Sequence, residues 1–348
     1  MRLLLLGLAA CSASHVVSSD ARPDAEVPDG EVPDALSVDA GVDASLDVAV
    51  DAGGLVCDLT AGELLGDGCF CEGDVVVRGD YLYHLGFSLD VFDLRSDPPR
   101  MVNRIAERGA GSALRIVADH LVAFGPGFGR DDAVIVYSLR DPTSPERVGS
   151  WGPEMRFLAQ YENDLLVAME FVDRSWALQR LDASEPVAPI VRWEAVPEGF
   201  VSAAAMDANT TFVHEQIRPP EFAPSDSLVR RFDARGMEER RASFGTALHQ
   251  QSLVLAGDLY LTGALAGVVR LDSRDLSVIE TYGGIGTGTF LVHDGLGVLS
   301  APSTVFELPS LDPIEVRGES VGPDRSTGER LFQRRGGSFQ EFDLRCTR

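Results

Sequence analysis

The chain predicts an all-β fold, a β-propeller of about seven four-stranded blades, with a pair of β-sandwiches as the alternative. Three observations lead there. Within residues 79–105, apolar residues alternate with a period of two between Gly, Asp and Pro punctuation: Gly79-Asp80 makes a turn, 81–85 and 89–94 form two runs, and 101–105 follows a Pro-bearing turn. An aromatic or aliphatic residue followed by Asp, Ser or Pro then recurs at Phe92-Asp93, Tyr137-Ser138, Leu181-Asp182, Phe232-Asp233, Leu271-Asp272, Leu308-Pro309 and Phe342-Asp343, at intervals of 34 to 51 residues. A strand–turn–strand precedes each copy, at 75–85, 114–124, 157–169, 201–214, 252–262, 290–299 and, weakly, 329–334. Four short strands in about 40 residues, repeated around seven times, is the period of a propeller blade. A sandwich has less reason to repeat one unit seven times.

From the beginning of the chain, residues 1–10, MRLLLLGLAA, carry one Arg, a leucine run and a small-residue end before Cys11. The run is far too short to span a bilayer. Leu8-Ala9-Ala10-Cys11 resembles the lipobox of bacterial lipoprotein signal peptides. That resemblance implies a diacylglycerol on the Cys11 thiol, with Ser12 a residue of the kind associated with sorting to the outer membrane. Residues 11–54 are low-complexity, with Glu26-Val-Pro-Asp, Glu31-Val-Pro-Asp and then Asp39, Asp43, Asp47 and Asp51. Small residues, Pro and like charges bury too little apolar area to offset ordering entropy, so this segment reads as a disordered acidic tether. It lacks the Gly and terminal Glu of an EF-hand loop, which disfavours a calcium site. Composition changes at Leu55, and 55–348 forms the propeller domain.

The net charge is −24, and all 30 basic residues are Arg. So acidic a chain repels phosphate backbones, which argues against a nucleic-acid partner. With Cys11 set aside, Cys57, Cys69, Cys71 and Cys346 remain, an even number at the two ends of the domain. In an exported protein this suggests two disulfides. A Cys₄ zinc site fits less well, because Cys69-Phe70-Cys71 is not a C-x₂-C knuckle. The last repeat ends near Phe342, so its outer strand is missing, and a segment such as 55–59 can fill that place. Cys57 and Cys346 then meet, with Cys69 and Cys71 nearby. Pairing of Cys69 with Cys71 is disfavoured by strain; sequence leaves the connectivity otherwise open.

GDYLY…LDVFDLRSDPPRMV and AVIVYSLRDPTSPERVGSW resemble the LVIVD family of bacterial propeller repeats over about residues 73–345, the first two copies best. The resemblance implies a propeller and an extracytoplasmic scaffold, and its motif is structural. Neither the WD dipeptide of WD40 blades nor the kelch double glycine is evident.

No catalytic signature emerges. With the preceding turns aligned, His84 and His214 occupy equivalent places in second strands, where two imidazoles could share an axial ion, as weak metal candidates only. His120 and His293 fall at turns, where exposure is expected. His214-Glu215 begins like HExxH, but Arg218 stands fifth and the segment reads as a strand. The glycine-rich 283–289 lacks a P-loop Lys and reads as a connection between blades. There is no G-x-S-x-G elbow. Asp131-Asp132 reads as a solvated hairpin; glycoside cleavage would need two carboxylates about 5 to 10 Å apart across a sugar. Arg230-Arg231, Arg240-Arg241 and Arg334-Arg335 are expected to pair with Glu238, Glu239 and Glu329, and Trp151 and Trp193 to cover blade faces. The functional expectation is a non-enzymatic binding or scaffolding lipoprotein of the cell envelope, without cofactor or catalytic residue. It would be held to the outer membrane by its lipid and meet a protein or polysaccharide. The alternative is a carbohydrate-active enzyme with its site in the central funnel.

Overall fold

A computed structural model of the chain describes residues 55–66, 74–106, 112–125, 133–153, 155–170, 176–217, 226–244, 252–263, 267–283, 288–301, 303–319, 323–327, 330–335 and 338–347. The leader, Cys11, the acidic tether, Cys69, Cys71, Asp131-Asp132 and Arg218 lie outside them. Residues 74–106, 113–151, 155–195, 200–244 and 253–282 each fold into one four-stranded antiparallel sheet, blades 1 to 5, with the strands in chain order. Blade 6, 290–318, and blade 7 join in one eight-stranded sheet. The inner three strands of blade 7 come from 325–347, and its outer strand is Val56–Gly66 from the other end of the chain. This is a β-propeller of seven blades, and a sandwich pair is excluded.

The local chemistry explains the repeat. The first two strands of blade 1 meet at a two-residue turn whose first residue, Gly79, has φ +56°, the left-handed backbone that tight hairpins need. The apolar residue of the recurring pair is buried in every blade: Phe92, Tyr137, Leu181, Phe232, Leu271, Phe306 and Phe342. In blades 1, 3, 4 and 5 the Asp after it caps the turn to the outer strand. Asp93 Oδ1 accepts from Arg95 N at 2.9 Å, Asp182 Oδ1 from Ser184 N at 3.0 Å, Asp233 Oδ1 from Arg235 N at 2.8 Å and Asp272 Oδ1 from Arg274 N at 2.7 Å. The Arg95 guanidinium, which donates to both carboxylate oxygens, and then the Arg95 backbone N–H pull the Asp93 carboxyl down to about 2. Blade 6 corrects the sequence reading. Its second strand starts at Leu296 opposite Glu307, so Phe306-Glu307, and not Leu308-Pro309, is its version of the motif. Pro309 after a leucine imitated the pattern two residues late.

Seven apolar clusters pack between the blades, one at each of the seven junctions around the ring. Between blades 1 and 2, for example, Tyr83, Leu89 and Val91 meet Leu121, Ile135 and Tyr137; between blades 7 and 1, Phe332 and Phe339 meet Leu82 and Phe92. Each blade therefore buries both faces against its neighbours, and the ring forms one structure.

The closing strand makes two ladders. Val56–Gly66 pairs antiparallel with Ser338–Thr347 and parallel with Asp312–Gly318 of blade 6. Cys57 stands opposite Cys346 in the first ladder, with Cα atoms 4.0 Å apart, and the two form a disulfide. Closure by residues near 55–59 and the meeting of these two cysteines thus follow the sequence reading. Gly318 sits where the second ladder passes Leu59 at φ +115°; a Cβ there would collide with the Leu59 carbonyl oxygen.

Candidate functional site

Blades 3, 5 and 7 share an ion pair between the second and third strands, and blade 4 keeps its arginine without the acid. In blade 3, Arg180 lies two residues before Asp182 in the third strand, and Asp164 begins the second strand. Arg180 Nε and Nη2 donate to Asp164 Oδ2 at 2.8 and 2.6 Å. In blade 5 the corresponding Arg270 donates to Asp258 Oδ2 at 2.8 Å. Blade 7 holds the same pair reversed, Arg330 to Glu341 at 3.0 Å. In blade 4 the arginine persists as Arg231, but Thr210 stands where the aspartate should be.

Arg231 is left with Glu239, Nη1 to Oε2 at 2.6 Å, and a long 3.4 Å hydrogen bond to the Arg274 carbonyl of blade 5. Its Nε is buried and finds no partner. A cleft of about 540 Å³ opens at this place, at the end of the ring formed by the first hairpin turns. Tyr161 of blade 3, Met206, Asn209 and Thr210 of blade 4, and Leu255 and Arg274 of blade 5 line it, with the buried ring of Phe212. Arg274 is exposed and forms no ion pair among the described residues. The carboxylate of Asp207, also on the wall, is committed: Oδ1 accepts the N–H groups of Asn209 and Thr210, each at 2.7 Å. Although burial works the other way, those bonds and the nearby Arg180 hold its carboxyl below the usual range. The site offers donors, aromatic surface and apolar walls, and its one lining acid is a cap.

Elsewhere the polar groups serve the fold. Arg180 also donates to the carbonyls of Asp207 and Ala208 at 2.9 and 3.2 Å, stapling blade 3 to the first turn of blade 4. Fully buried Glu215 accepts from Arg230 at 2.9 Å and from the N–H groups of Glu198 and Gly199 at 2.7 and 3.1 Å. Burial raises its carboxyl and Arg230 pulls it back. Nearer the opposite end of the ring, the Arg115 guanidinium lies 3.9 Å over the Phe157 ring and Arg156 lies 5.1 Å over Phe200, each reaching to the next blade. Arg156 donates to the carbonyls of Val201 and Ser202 at 2.9 and 3.3 Å, and burial lowers its pKa.

The histidine reading is corrected. His84 stands opposite Asp90, three residues before the capping Asp93, whereas His214 stands opposite Val229, four before Asp233. They are one position out of register. His84 packs at 5.3 Å against Phe339 of blade 7, while His214 shares a 2.5 Å hydrogen bond through Nδ1 with Ser202 Oγ of blade 4. The structure does not bring them together, and among the described residues no group of three His, Cys, Asp or Glu is placed to hold a metal. The Ser202–His214 contact has structural counterparts in other blades. Blade 5 puts Ser252 against Thr262 at 2.9 Å in the same place, and blade 6 Ser300 against the Thr289 N–H at 2.8 Å, so the pair is one version of a repeated polar tie between first and second strands. Burial pushes the His214 imidazole down to about 4.

His120 is half-buried and His293 buried, so neither shows the exposure expected at a turn. His214-Glu215 lies in the strand Thr210–Ile217, as read, and 283–289 falls between blades 5 and 6. The expected pairs Arg230–Glu238 and Arg231–Glu239 form at 2.7 and 2.6 Å, and Arg241 joins Glu238 at 2.5 Å. Arg240 instead donates to the Glu239 carbonyl. The side chains of Arg334 and Arg335, and Glu329, lie outside the description. Trp151 donates to the Pro186 carbonyl at 2.8 Å and Trp193 stacks on Phe232 at 5.7 Å, both covering blade faces. The cleft was missed in the sequence, although the pattern Arg-apolar-Asp at 180–182, 231–233 and 270–272 marks it once each arginine is matched to its strand-opening residue.

No protein-family model and no curated protein sequence matches the chain. Among solved structures it is similar in fold to Raptor from Chaetomium thermophilum, at TM-score 0.57 and 15% identity over 82% of this chain. The match takes in 28% of the Raptor chain. It is also similar to the computationally designed Ika8 protein (TM-score 0.52, 10% identity, 83% of this chain and 98% of that one). The N-terminal domain of Nup159 compares likewise (TM-score 0.52, 12% identity, 83% and 95%). At such identities the likeness is one of fold.

Proposed function

We propose that the chain is a cell-envelope lipoprotein of LVIVD-type repeats, anchored in the outer membrane through Cys11, that acts as a non-enzymatic binding or scaffolding propeller for a protein or polysaccharide. The observation that carries this is the character of the cleft across blades 3 to 5. Two arginines, an aromatic ring and apolar walls converge there, and the one acid on its wall is held ionised by backbone N–H groups. General acid–base chemistry wants a carboxyl with a raised pKa; recognition wants fixed donors over an apolar surface. The leader sequence ending at Cys11 supports the anchor, and the Cys57–Cys346 disulfide suits an oxidising compartment.

The test is a thermal-shift screen of the full chain against neutral and acidic envelope saccharides and peptides, followed by chromatography of the recovered ligand. A ligand that raises the transition and returns intact is the expected outcome, because binding only the native state must stabilise it. A ligand converted to products overturns the reading. Replacing Cys11 with Ala is expected to move the protein from the detergent to the aqueous phase; unaltered partition removes the anchor.

A further inference from the structure

We propose that the cleft between blades 4 and 5 binds the carboxylate of an acidic saccharide, with Arg231 and Arg274 receiving the anion that Thr210 fails to supply. The inference rests on the binding reading above and names its ligand class.

The repeat supplies an internal control. Arginines at the place of Arg231 are satisfied by Asp164 in blade 3 and Asp258 in blade 5. Blade 4 keeps the cation, loses the acid, and leaves the Arg231 Nε buried without a partner. The Arg231 side chain is 22% exposed and lines the cleft, so an anion there meets the outer N–H groups of its guanidinium. Glu239 engages only Nη1 and is itself 40% exposed. Arg274, unpaired among the described residues, stands on the same wall, so two guanidinium groups face one volume; guanidinium is the group best shaped to hold a carboxylate. The cleft is at the single place where the repeat leaves an arginine short of its acid.

The rest of the lining selects the body of the ligand. Asn209, Thr210 and Ser273 offer hydroxyl and amide groups, and Tyr161 offers aromatic surface, the mixture that suits a sugar ring. About 540 Å³ accommodates one or two such rings. An acyl chain would need a continuous apolar slot. The chain as a whole carries a net charge of −24, which disfavours long polyanions and favours one acidic sugar at one cationic spot.

The experiment is calorimetric titration of the full chain with D-galacturonic acid and with its neutral methyl ester, repeated on Arg231→Gln, Arg274→Gln and Thr210→Asp. The acid is expected to bind the wild type and the ester about tenfold more weakly. Arg231→Gln is expected to lose about tenfold and Arg274→Gln several-fold. Thr210→Asp rebuilds the internal pair. It is expected to lose about tenfold in affinity while melting no lower than the wild type, a combination that damage to the fold would not produce. Equal binding of acid and ester, undiminished binding by Thr210→Asp, or no binding of the acid at about 20 mM each overturns the inference. A neutral saccharide that binds wild type and Arg231→Gln alike overturns it while leaving the binding reading in place; conversion of the acid to products overturns the binding reading itself.

Discussion

The disulfide at the seam sets a measurable share of stability. Cys57 and Cys346 are 289 residues apart, so the bond holds nearly the whole ring as one loop in the unfolded chain. The chain-entropy relation gives a stabilisation of about 6 kcal/mol for a loop of that length, against a usual upper value of about 5. Replacing both cysteines with Ser keeps side-chain size, and the two ladders flanking Val56–Gly66 remain. The loss is therefore expected at about 2 to 5 kcal/mol, the range found for native disulfides. At about 2 to 3 °C per kcal/mol for a domain of this size, the melting temperature falls by about 10 °C. Differential scanning calorimetry of the oxidised wild type, the reduced wild type and Cys57→Ser/Cys346→Ser makes the comparison. The reduced wild type is expected to melt no higher than the double variant. A double variant that melts within about 2 °C of the oxidised protein refutes the view that this bond restrains the ring.

Three further outcomes follow from the same geometry. Arg180→Ala removes a staple between blades and leaves buried Asp164 with only the half-exposed Arg192; a loss of about 3 kcal/mol is expected in urea denaturation, and a loss under about 1 contradicts it. His214, with its folded pKa near 4 against an ordinary 6.5, stays neutral in the native protein while the unfolded chain takes up a proton. Stability is thus expected to fall as pH drops from about 6.5 to 4, by up to about 3 kcal/mol from this group; in His214→Asn that component disappears, and an unchanged pH profile would show that His214 does not cause it. Gly318→Ala drives a methyl group into the Leu59 carbonyl at the junction of blades 6 and 7, for an expected loss above about 1 kcal/mol; a neutral substitution would mean that the parallel ladder does not form there.

Much of the ring is legible in the sequence because each blade repeats a physical necessity. A buried apolar residue followed by a turn-capping Asp announces Phe92-Asp93 and Phe232-Asp233, and the missing outer strand of the last copy points to residues near Leu55. Blade 6 was misplaced because a cap is recognised by its hydrogen bond, and Pro309 has no donor or carboxylate with which to make one. The two histidines were aligned by counting from the turns. His84 lies three residues past the strand-opening Tyr81 and His214 four past Thr210, and one such step moves a side chain to the other face. The cleft was hidden for a different reason. Thr210 is unremarkable alone, and it gains meaning only when set against Asp164 and Asp258 in neighbouring blades, a comparison that needs the register of all three.

Hydrogen exchange of the full chain, with and without saturating D-galacturonic acid, tests the central claim most directly. Slower exchange confined to the turn at 207–210, the turn at 256–258 and the segment 272–275 is the expected result, since these carry the walls of the cleft. Protection that falls instead near Arg156 and Phe200, or an exchange pattern the acid leaves unaltered, contradicts the assignment of the cleft as the place where this propeller recognises its ligand.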